Sequence, residues 1–405
     1  MNPRLRYTRG LLAAVLIAAG FLGDPLPAQP VAPPLWAQDS IRSEVLGETR
    51  HLRISLPVGY DTPQYASERY PVLIVIGSQG DVPFASMVAN ARALGGTNAP
   101  ATPRLLVVGV ETPGATRFRD LTLPLAGDTA KRADGGGGAP AFLRFLSTEL
   151  QPYLAARYRT QPFTVLAGHS LAGFFVVWAF GSAPDFVNGA LALSPTPDEP
   201  ERLIDGIAAR SAPGRLFLVS GTAEGLDGPA RAFAAALNAR RIPTLAFEHH
   251  RIPDVSHDHT GTMGMVPGLR FVFRPVSLAA YQLEFSGAEP PLAQFTAVFD
   301  STRKAYLRGA RELGLPQRLP LSFLTSQRRW YQDTRMAPLL LRLCEELITA
   351  YPTLWDGYDC AGDAQGRLGR AAEASASYRR ALDMARSAGD SAAVGRLSRK
   401  AESRP

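Results

Sequence analysis

The sequence is poor in cysteine and has no long basic run. Two cysteines among 405 residues exclude a disulfide-dense scaffold and any zinc or iron–sulfur site built from several cysteines. No block of five or more Lys and Arg residues occurs, although the formal net charge is +7, so we expect no nucleic-acid partner. With 46% hydrophobic and 20% charged residues, the composition is that of a globular protein, and the length suggests two or three folding units.

The first 37 residues have the pattern of a secretory signal peptide. Three arginines precede an apolar run at 11–22, which is too short to cross a bilayer comfortably. Small residues at Ala28 and Ala37 offer cleavage positions. We therefore expect an exported protein, periplasmic or secreted, with no stable membrane span after cleavage. An uncleaved membrane anchor is the alternative.

Residues 38–275 alternate short β-rich segments with longer helical stretches. Several β segments are apolar throughout, which is typical of strands covered on both faces. This pattern predicts an α/β domain with a mainly parallel sheet. The predicted strands are 51–56, 72–76, 105–110, 163–167, 190–193, 216–220 and 245–251.

Residues 276–405 are rich in Ala, Leu, Arg and Glu and predict an all-α region of helical hairpins. From about residue 324 the spacing resembles tetratricopeptide-like repeats. The positions that match the repeat pattern are Tyr331, Pro352, Gly362, Gly369, Ala374, Tyr378 and Ala381. One or two such repeats cannot bury their own apolar faces, so we expect the hairpins to dock on the first domain or on a protein partner.

Both cysteines lie in this helical region. Cys344 and Cys360 are each eight residues from Pro352, which the pattern puts in a turn, so antiparallel helices would bring them level. In an exported protein they could form a disulfide. Two buried thiols are the alternative.

The segment 163–180 predicts a strand, a sharp turn at Ser170 and an apolar helix. A nucleophilic serine needs such a strand-to-helix turn, with small neighbours that let strand and helix approach closely. Gly168, Ala172 and Gly173 supply them. We therefore predict that Ser170 is a nucleophile rather than an ordinary turn residue.

A serine nucleophile of this kind needs a histidine base that follows it in the chain. Two histidines, His257 and His259, lie after the last predicted strand. We predict His257, which is nearer to the strand end, as the base, with His259 as the alternative. Four others are set aside because they precede the serine, lie in the turn or lie within a strand: His51, His169, His249 and His250.

The carboxylate that orients the base is expected after the strand at 216–220. Glu224 comes first in that loop and is the predicted acid, and Asp227 is the alternative. The backbone N–H of Leu171 would form one half of an oxyanion hole, and that of Ser78 or Gln79 the other. We expect neither a metal nor a cofactor.

Several separated segments resemble the putative-esterase family of α/β-hydrolases. They are YPVLIVI at 70–76, TRFRDLT at 116–122, FLRFL at 142–146, ELQPY at 149–153, the Gly-His-Ser turn, and GLRFVF at 268–273. The resemblance covers about residues 40–275. Ala172 departs from it where the family has glycine, and Gly77-Ser78 stands where Asp-Gly is common.

The resemblance implies an α/β-hydrolase fold and a Ser170, Glu224 and His257 triad. It implies a small-molecule ester as the substrate and hydrolysis through an acyl-enzyme. An acyltransferase on the same fold is an alternative, because an alcohol can replace water. The second alternative is a non-catalytic scaffold that recruits a protein partner through the helical tail.

Overall fold

A computed structural model describes residues 34–124, 135–196, 198–281, 292–332 and 336–402. Nearly all of the predicted signal peptide therefore lies outside the described residues. The described part contains one eight-stranded sheet in the order β1-β2-β4-β3-β5-β6-β7-β8. Its strands are β1 Ala37–Ser43, β2 Glu48–Ser55, β3 Tyr70–Ile76, β4 Leu106–Val110, β5 Thr160–His169, β6 Gly189–Leu193, β7 Gly214–Gly221 and β8 Leu245–Ile252.

The sheet is mainly parallel, as predicted. Strands β3 to β8 run parallel to one another, whereas β2 is antiparallel to both β1 and β4. Strands β3, β4 and β6 are buried along their whole length, because their side chains are apolar on both faces. All seven predicted strands are present, and β1 is an additional edge strand.

Helices cover both faces of the sheet. One face carries α2 Gly114–Leu121, α3 Ala139–Phe145, α4 Gln151–Arg157, α5 Leu171–Ser182, α6 Pro200–Ala208 and α7 Asp227–Ala239. A five-residue π-turn, Leu146–Leu150, joins α3 to α4. The other face carries α1 Asp81–Gly95 and α9 Met265–Val272, and α8 His257–Met263 precedes α9. The result is the α/β-hydrolase architecture expected from the sequence.

The predicted helical tail forms α10 Leu292–Glu312, α11 Leu321–Gln332, α12 Ala337–Ala350, α13 Trp355–Arg367, α14 Ala371–Ser387 and α15 Ser391–Glu402. The buried apolar side chains of α10 to α13 share one cluster with the sheet and with α1 and α9, whereas those of α14 and α15 form a separate small cluster. Phe295, Phe299 and Phe323 of the tail are at most 1% exposed. A side chain at Gly309 would overlap the Pro275 carbonyl, so α10 lies directly against the end of the hydrolase domain.

Within the tail, α13 and α14 pack closely. A side chain at Gly362 would overlap the Tyr378 ring, and Gly369, in the turn after α13, has a φ angle of +72°. These contacts form a helical hairpin at the residues that match the repeat pattern, while the tetratricopeptide likeness itself stays a prediction. Cys344 and Cys360 form a buried disulfide between α12 and α13, with Cα atoms 5.6 Å apart. No helix in the described ranges has the length and apolar character needed to cross a bilayer.

Candidate active site

Ser170 lies at the turn between β5 and α5, in a backbone conformation rare for an L-residue. Its φ and ψ angles are 61° and −122°, and such a conformation costs about 1–3 kcal/mol. Its N–H donates to the Leu193 carbonyl at the end of β6 (2.9 Å). The turn therefore has the strained geometry of a nucleophile elbow.

The small residues around this serine are required by the close approach of strand and helix. A side chain at Gly168 would overlap the carbonyl group of Ala172. One at Gly173 would lie 3.0 Å from the Gly168 carbonyl oxygen. Ala172, which departs from the family pattern, is fully buried, so its methyl group fits the turn.

Glu224 lies in the loop after β7, and its carboxylate is held from both sides. Oε1 accepts the Gly221 N–H (2.6 Å), and Oε2 accepts the Ser194 hydroxyl (2.6 Å). The side chain is 2% exposed. A side chain at Gly221 would overlap the Val255 carbonyl, so the loops that follow β7 and β8 touch here. This contact brings Glu224 close to the residues after β8.

His257, in the segment after β8, is the residue that lies next to Glu224. Its Nδ1 lies 2.9 Å from Glu224 Oε2. Because an ionised carboxylate only accepts hydrogen bonds, Nδ1 carries the proton in this pair, and Nε2 is left as the basic nitrogen. The sequence placed His257 in a loop, but it is the first residue of α8. The helix begins there because Ser256 has an extended backbone (φ −83°, ψ 166°), as N-cap residues do.

The two alternative residues have other partners. Asp227 accepts hydrogen bonds from the Ser220 hydroxyl (2.8 Å) and from the Arg251 guanidinium (2.6 Å). Arg251 lowers the pKa of Asp227 to about 2. The Nδ1 atom of His259 lies 2.9 Å from the Ser256 hydroxyl at an exposed position. The geometry therefore favours Glu224 over Asp227 as the acid and His257 over His259 as the base.

His169 also has a place in the site, although sequence reasoning set it aside as part of the turn. Its Nε2–H donates to the His257 carbonyl (2.8 Å), and the two rings lie 4.5 Å apart. Burial lowers the pKa of His169, which favours a neutral ring. His169 thus connects the nucleophile turn to the start of α8. Its position next to Ser170 in the chain was the available signal.

Ser170 and His257 approach the same edge of the sheet from β5 and β8. Among the described residues, the His257 ring has Ser194 and Glu224 as its hydrogen-bond partners, and the Ser170 hydroxyl is not one of them. The contact between the Ser170 turn and His257 is instead the hydrogen bond from the His169 ring to the His257 carbonyl. Catalytic hydrogen bonds between nucleophile and base are often long without substrate and shorten in the complex.

The candidate oxyanion donors differ in availability. Leu171 is the first residue of α5, so its N–H has no partner within the helix. The Ser78 N–H is directed to the Val110 carbonyl (3.3 Å). The Gln79 N–H has no acceptor among the described residues, and its side-chain oxygen accepts the Thr112 N–H (3.2 Å). The geometry therefore favours Gln79 over Ser78 as the second donor.

A cavity of about 220 Å³ lies beside the elbow and is lined in part by Gly77, Gln79, Arg117 and His169. The Arg117 guanidinium donates to the His169 carbonyl (3.2 Å). It is half-buried and has no carboxylate within salt-bridge distance among the described residues, and burial lowers its pKa. A side chain at Gly77 would lie 2.6 Å from this guanidinium. Asp258 also lines this cavity, so a cation and an acidic residue both border the space next to the nucleophile turn.

Residues 43–237 match the sequence profile of the family described as Putative esterase. The ferri-bacillibactin esterase BesA of Bacillus subtilis is 30% identical over 161 residues, which is 36% of this chain and 54% of BesA. The chain thus matches only about half the length of that relative.

Solved structures similar in fold include the following two. The IroE-like serine hydrolase of Shewanella oneidensis has a TM-score of 0.61 and 22% identity, and the match covers 77% of this chain and 98% of that one. An uncharacterised protein of Capnocytophaga ochracea has a TM-score of 0.55 and 16% identity, with 86% and 93% covered. At these identities the likeness concerns the fold alone.

Proposed function

Since residues 43–237 match the Putative esterase family, we propose that this chain is a serine hydrolase that cleaves carboxylic esters. Ser170 is the nucleophile, His257 the base and Glu224 the acid of the triad. The observation that carries the proposal is the 2.9 Å hydrogen bond between Glu224 and His257 at the sheet edge where Ser170 is strained.

In this mechanism Ser170 Oγ attacks the ester carbonyl while His257 Nε2 takes its proton. The carbonyl oxygen becomes negatively charged and is stabilised by the N–H groups of Leu171 and Gln79. The C–O bond of the ester then breaks, and His257 returns the proton to the leaving alcohol. Water, deprotonated by the same nitrogen, releases the acid from Ser170.

The same acyl-enzyme would transfer its acyl group if an alcohol replaced water in the last step. The two reactions give different products. Hydrolysis yields the free acid, and transfer yields a new ester. Mass spectrometry of the products, with and without an added acceptor alcohol, separates an esterase from an acyltransferase.

We propose further that the ester carries an anionic or strongly hydrogen-bonding group near the scissile bond. Arg117 supports this, because it lines the cavity without a salt bridge among the described residues, and a half-buried guanidinium binds anionic groups well. The name of BesA, an esterase of ferri-bacillibactin, agrees with a siderophore-like ester. Arg117→Leu should lower kcat/KM about 10- to 100-fold for an anionic ester and much less for a neutral one of equal length.

A fluorophosphonate probe tests the central proposal. The purified protein should be labelled, and Ser170→Ala should abolish both labelling and hydrolysis of a p-nitrophenyl ester. The matched control is Ser182→Ala at the end of α5, which keeps both. Labelling that persists in Ser170→Ala, or that is absent from the unsubstituted protein, contradicts a Ser170 nucleophile and favours the scaffold alternative.

We also propose export to an oxidising compartment. The buried disulfide between Cys344 and Cys360 supports it, since such bonds persist there. Cleavage near Ala28 fits better than cleavage after Ala37, because Trp36 packs on Phe84 with ring centroids 5.2 Å apart. N-terminal sequencing of the protein from the cell envelope or medium should find a start close to residue 29, and an intact Met1 would contradict cleavage.

A further inference from the structure

Ser194 follows β6 in a conformation that serine rarely adopts. Its φ angle is +46°, which lies in the left-handed region that glycine adopts readily and that is strained for other residues. It is 1% exposed, and its N–H donates to the Val219 carbonyl (2.8 Å). A strained, buried polar residue at the carboxyl end of a strand points to a functional constraint.

The hydroxyl of Ser194 contacts both partners of the proposed triad. It donates to Glu224 Oε2 (2.6 Å) and lies 2.9 Å from His257 Nδ1. Since Nδ1 is also 2.9 Å from Oε2, the three groups form a closed triangle. The single hydroxyl hydrogen goes to the carboxylate, so an oxygen lone pair of Ser194 faces the Nδ1 proton.

We infer that Ser194 is a positioning residue that fixes the Glu224 carboxylate and the His257 ring together. The inference rests on the proposed function. Four neighbouring parallel strands, β5 to β8, would then each contribute one side chain, in the order Ser170, Ser194, Glu224 and His257.

The action of Ser194 follows from its hydrogen bonds. Glu224 is buried and needs a donor for each oxygen. Gly221 holds Oε1, and Ser194 holds Oε2 so that it faces His257. When His257 takes the proton of the nucleophile, its positive charge is shared through Nδ1–H with both acceptors. Without the hydroxyl, Oε2 keeps only the His257 Nδ1–H as a donor, so the carboxylate and the ring are oriented less tightly.

The competing explanation is that Ser194 matters only for folding. Two substitutions separate these roles because both remove the hydroxyl but differ in backbone strain. Ser194→Gly relaxes the positive φ angle, whereas Ser194→Ala keeps it. We therefore expect Ser194→Gly to have the higher melting temperature of the two.

A positioning role predicts that both variants lose kcat by about 10- to 100-fold on a p-nitrophenyl ester, with KM changed less than threefold. In a Glu224→Gln background, Ser194→Ala should cause less than a threefold further loss, because its partner carboxylate is gone.

The inference is overturned if either Ser194 variant keeps kcat within twofold of the unsubstituted protein. It is also overturned if activity follows melting temperature, so that Ser194→Gly is active and Ser194→Ala is not, or if the loss is the same in the Glu224→Gln background. Ser170→Ala is measured beside them. Full activity in that variant refutes the proposed function itself, a result distinct from any outcome at Ser194.

Discussion

Glu224→Gln should reduce hydrolysis through the tautomer of His257 rather than through lost stability. Glutamine has the same shape but carries one oxygen and one NH₂ group. The Gly221 N–H, 2.6 Å from Oε1, needs an acceptor, so the amide oxygen takes that position. The NH₂ group then occupies the Oε2 position, 2.9 Å from His257 Nδ1, and donates to it.

Nδ1 can accept this bond only without its proton, so the proton moves to Nε2. A protonated Nε2 cannot take a proton from Ser170. By analogy with the Asp-to-Asn change in a serine protease triad, kcat should fall about 10³- to 10⁴-fold. At about 1.4 kcal/mol per decade, this corresponds to about 4–5.5 kcal/mol of transition-state stabilisation.

The assay is the initial rate on a p-nitrophenyl ester near neutral pH, with circular dichroism to verify folding. Asp227→Asn is the matched control, because Asp227 pairs with Ser220 and Arg251 rather than with His257. It should keep kcat within about threefold. The reverse pattern, an inactive Asp227→Asn and an active Glu224→Gln, would refute the assignment of the acid.

Three further predictions concern stability. Gly168→Ala should lower the free energy of unfolding by about 1–3 kcal/mol, because the added methyl group would overlap Ala172 in the elbow. Gly395→Ala should not lower it, because a side chain at this position of α15 would meet no other atoms. Thermal melts compare the two variants. Replacing Cys344 and Cys360 with alanine should cost about 3 kcal/mol, because the bond closes a loop with a sequence separation of 16; an unchanged urea midpoint would contradict this. The pKa of Asp227, about 2 when folded, lies below its unfolded value near 3.8, so its stabilisation is present above pH 4 and is lost as pH falls towards 2; Asp227→Asn should flatten that decline in urea titrations.

The parallel strands were predictable because their apolar runs and flanking Gly, Pro or Ser residues are local signals. Strand β1 was missed since its sequence, AQDSIRS, is mostly polar. It forms by antiparallel pairing with β2, a non-local interaction. The predicted leader also extended to Ala37, the first residue of this strand.

The candidate triad was predictable because its nucleophile, acid and base follow one another in a fixed order along the chain. Glu224 and His257 were chosen by position after their strands, and they are hydrogen-bonded. Ser194 and His169 were missed for a physical reason. The role of Ser194 depends on a positive φ angle, and that of His169 on a contact with a carbonyl 88 positions away. The sequence shows that His169 is next to Ser170, but neither the φ angle of Ser194 nor the contact of His169 can be predicted from local sequence patterns.

The shared buried cluster of sheet and tail limits how the tail can move. Phe295 and Phe323 lie in the same cluster as Val75 and Phe217 of the sheet. Swinging the tail outward to recruit a partner would expose these aromatic rings to water, at about 25 cal/mol for each Å² of apolar surface. Helices α10 to α13 are therefore held against the hydrolase domain, and a partner of this part of the tail would have to bind its outer surface with these helices in place.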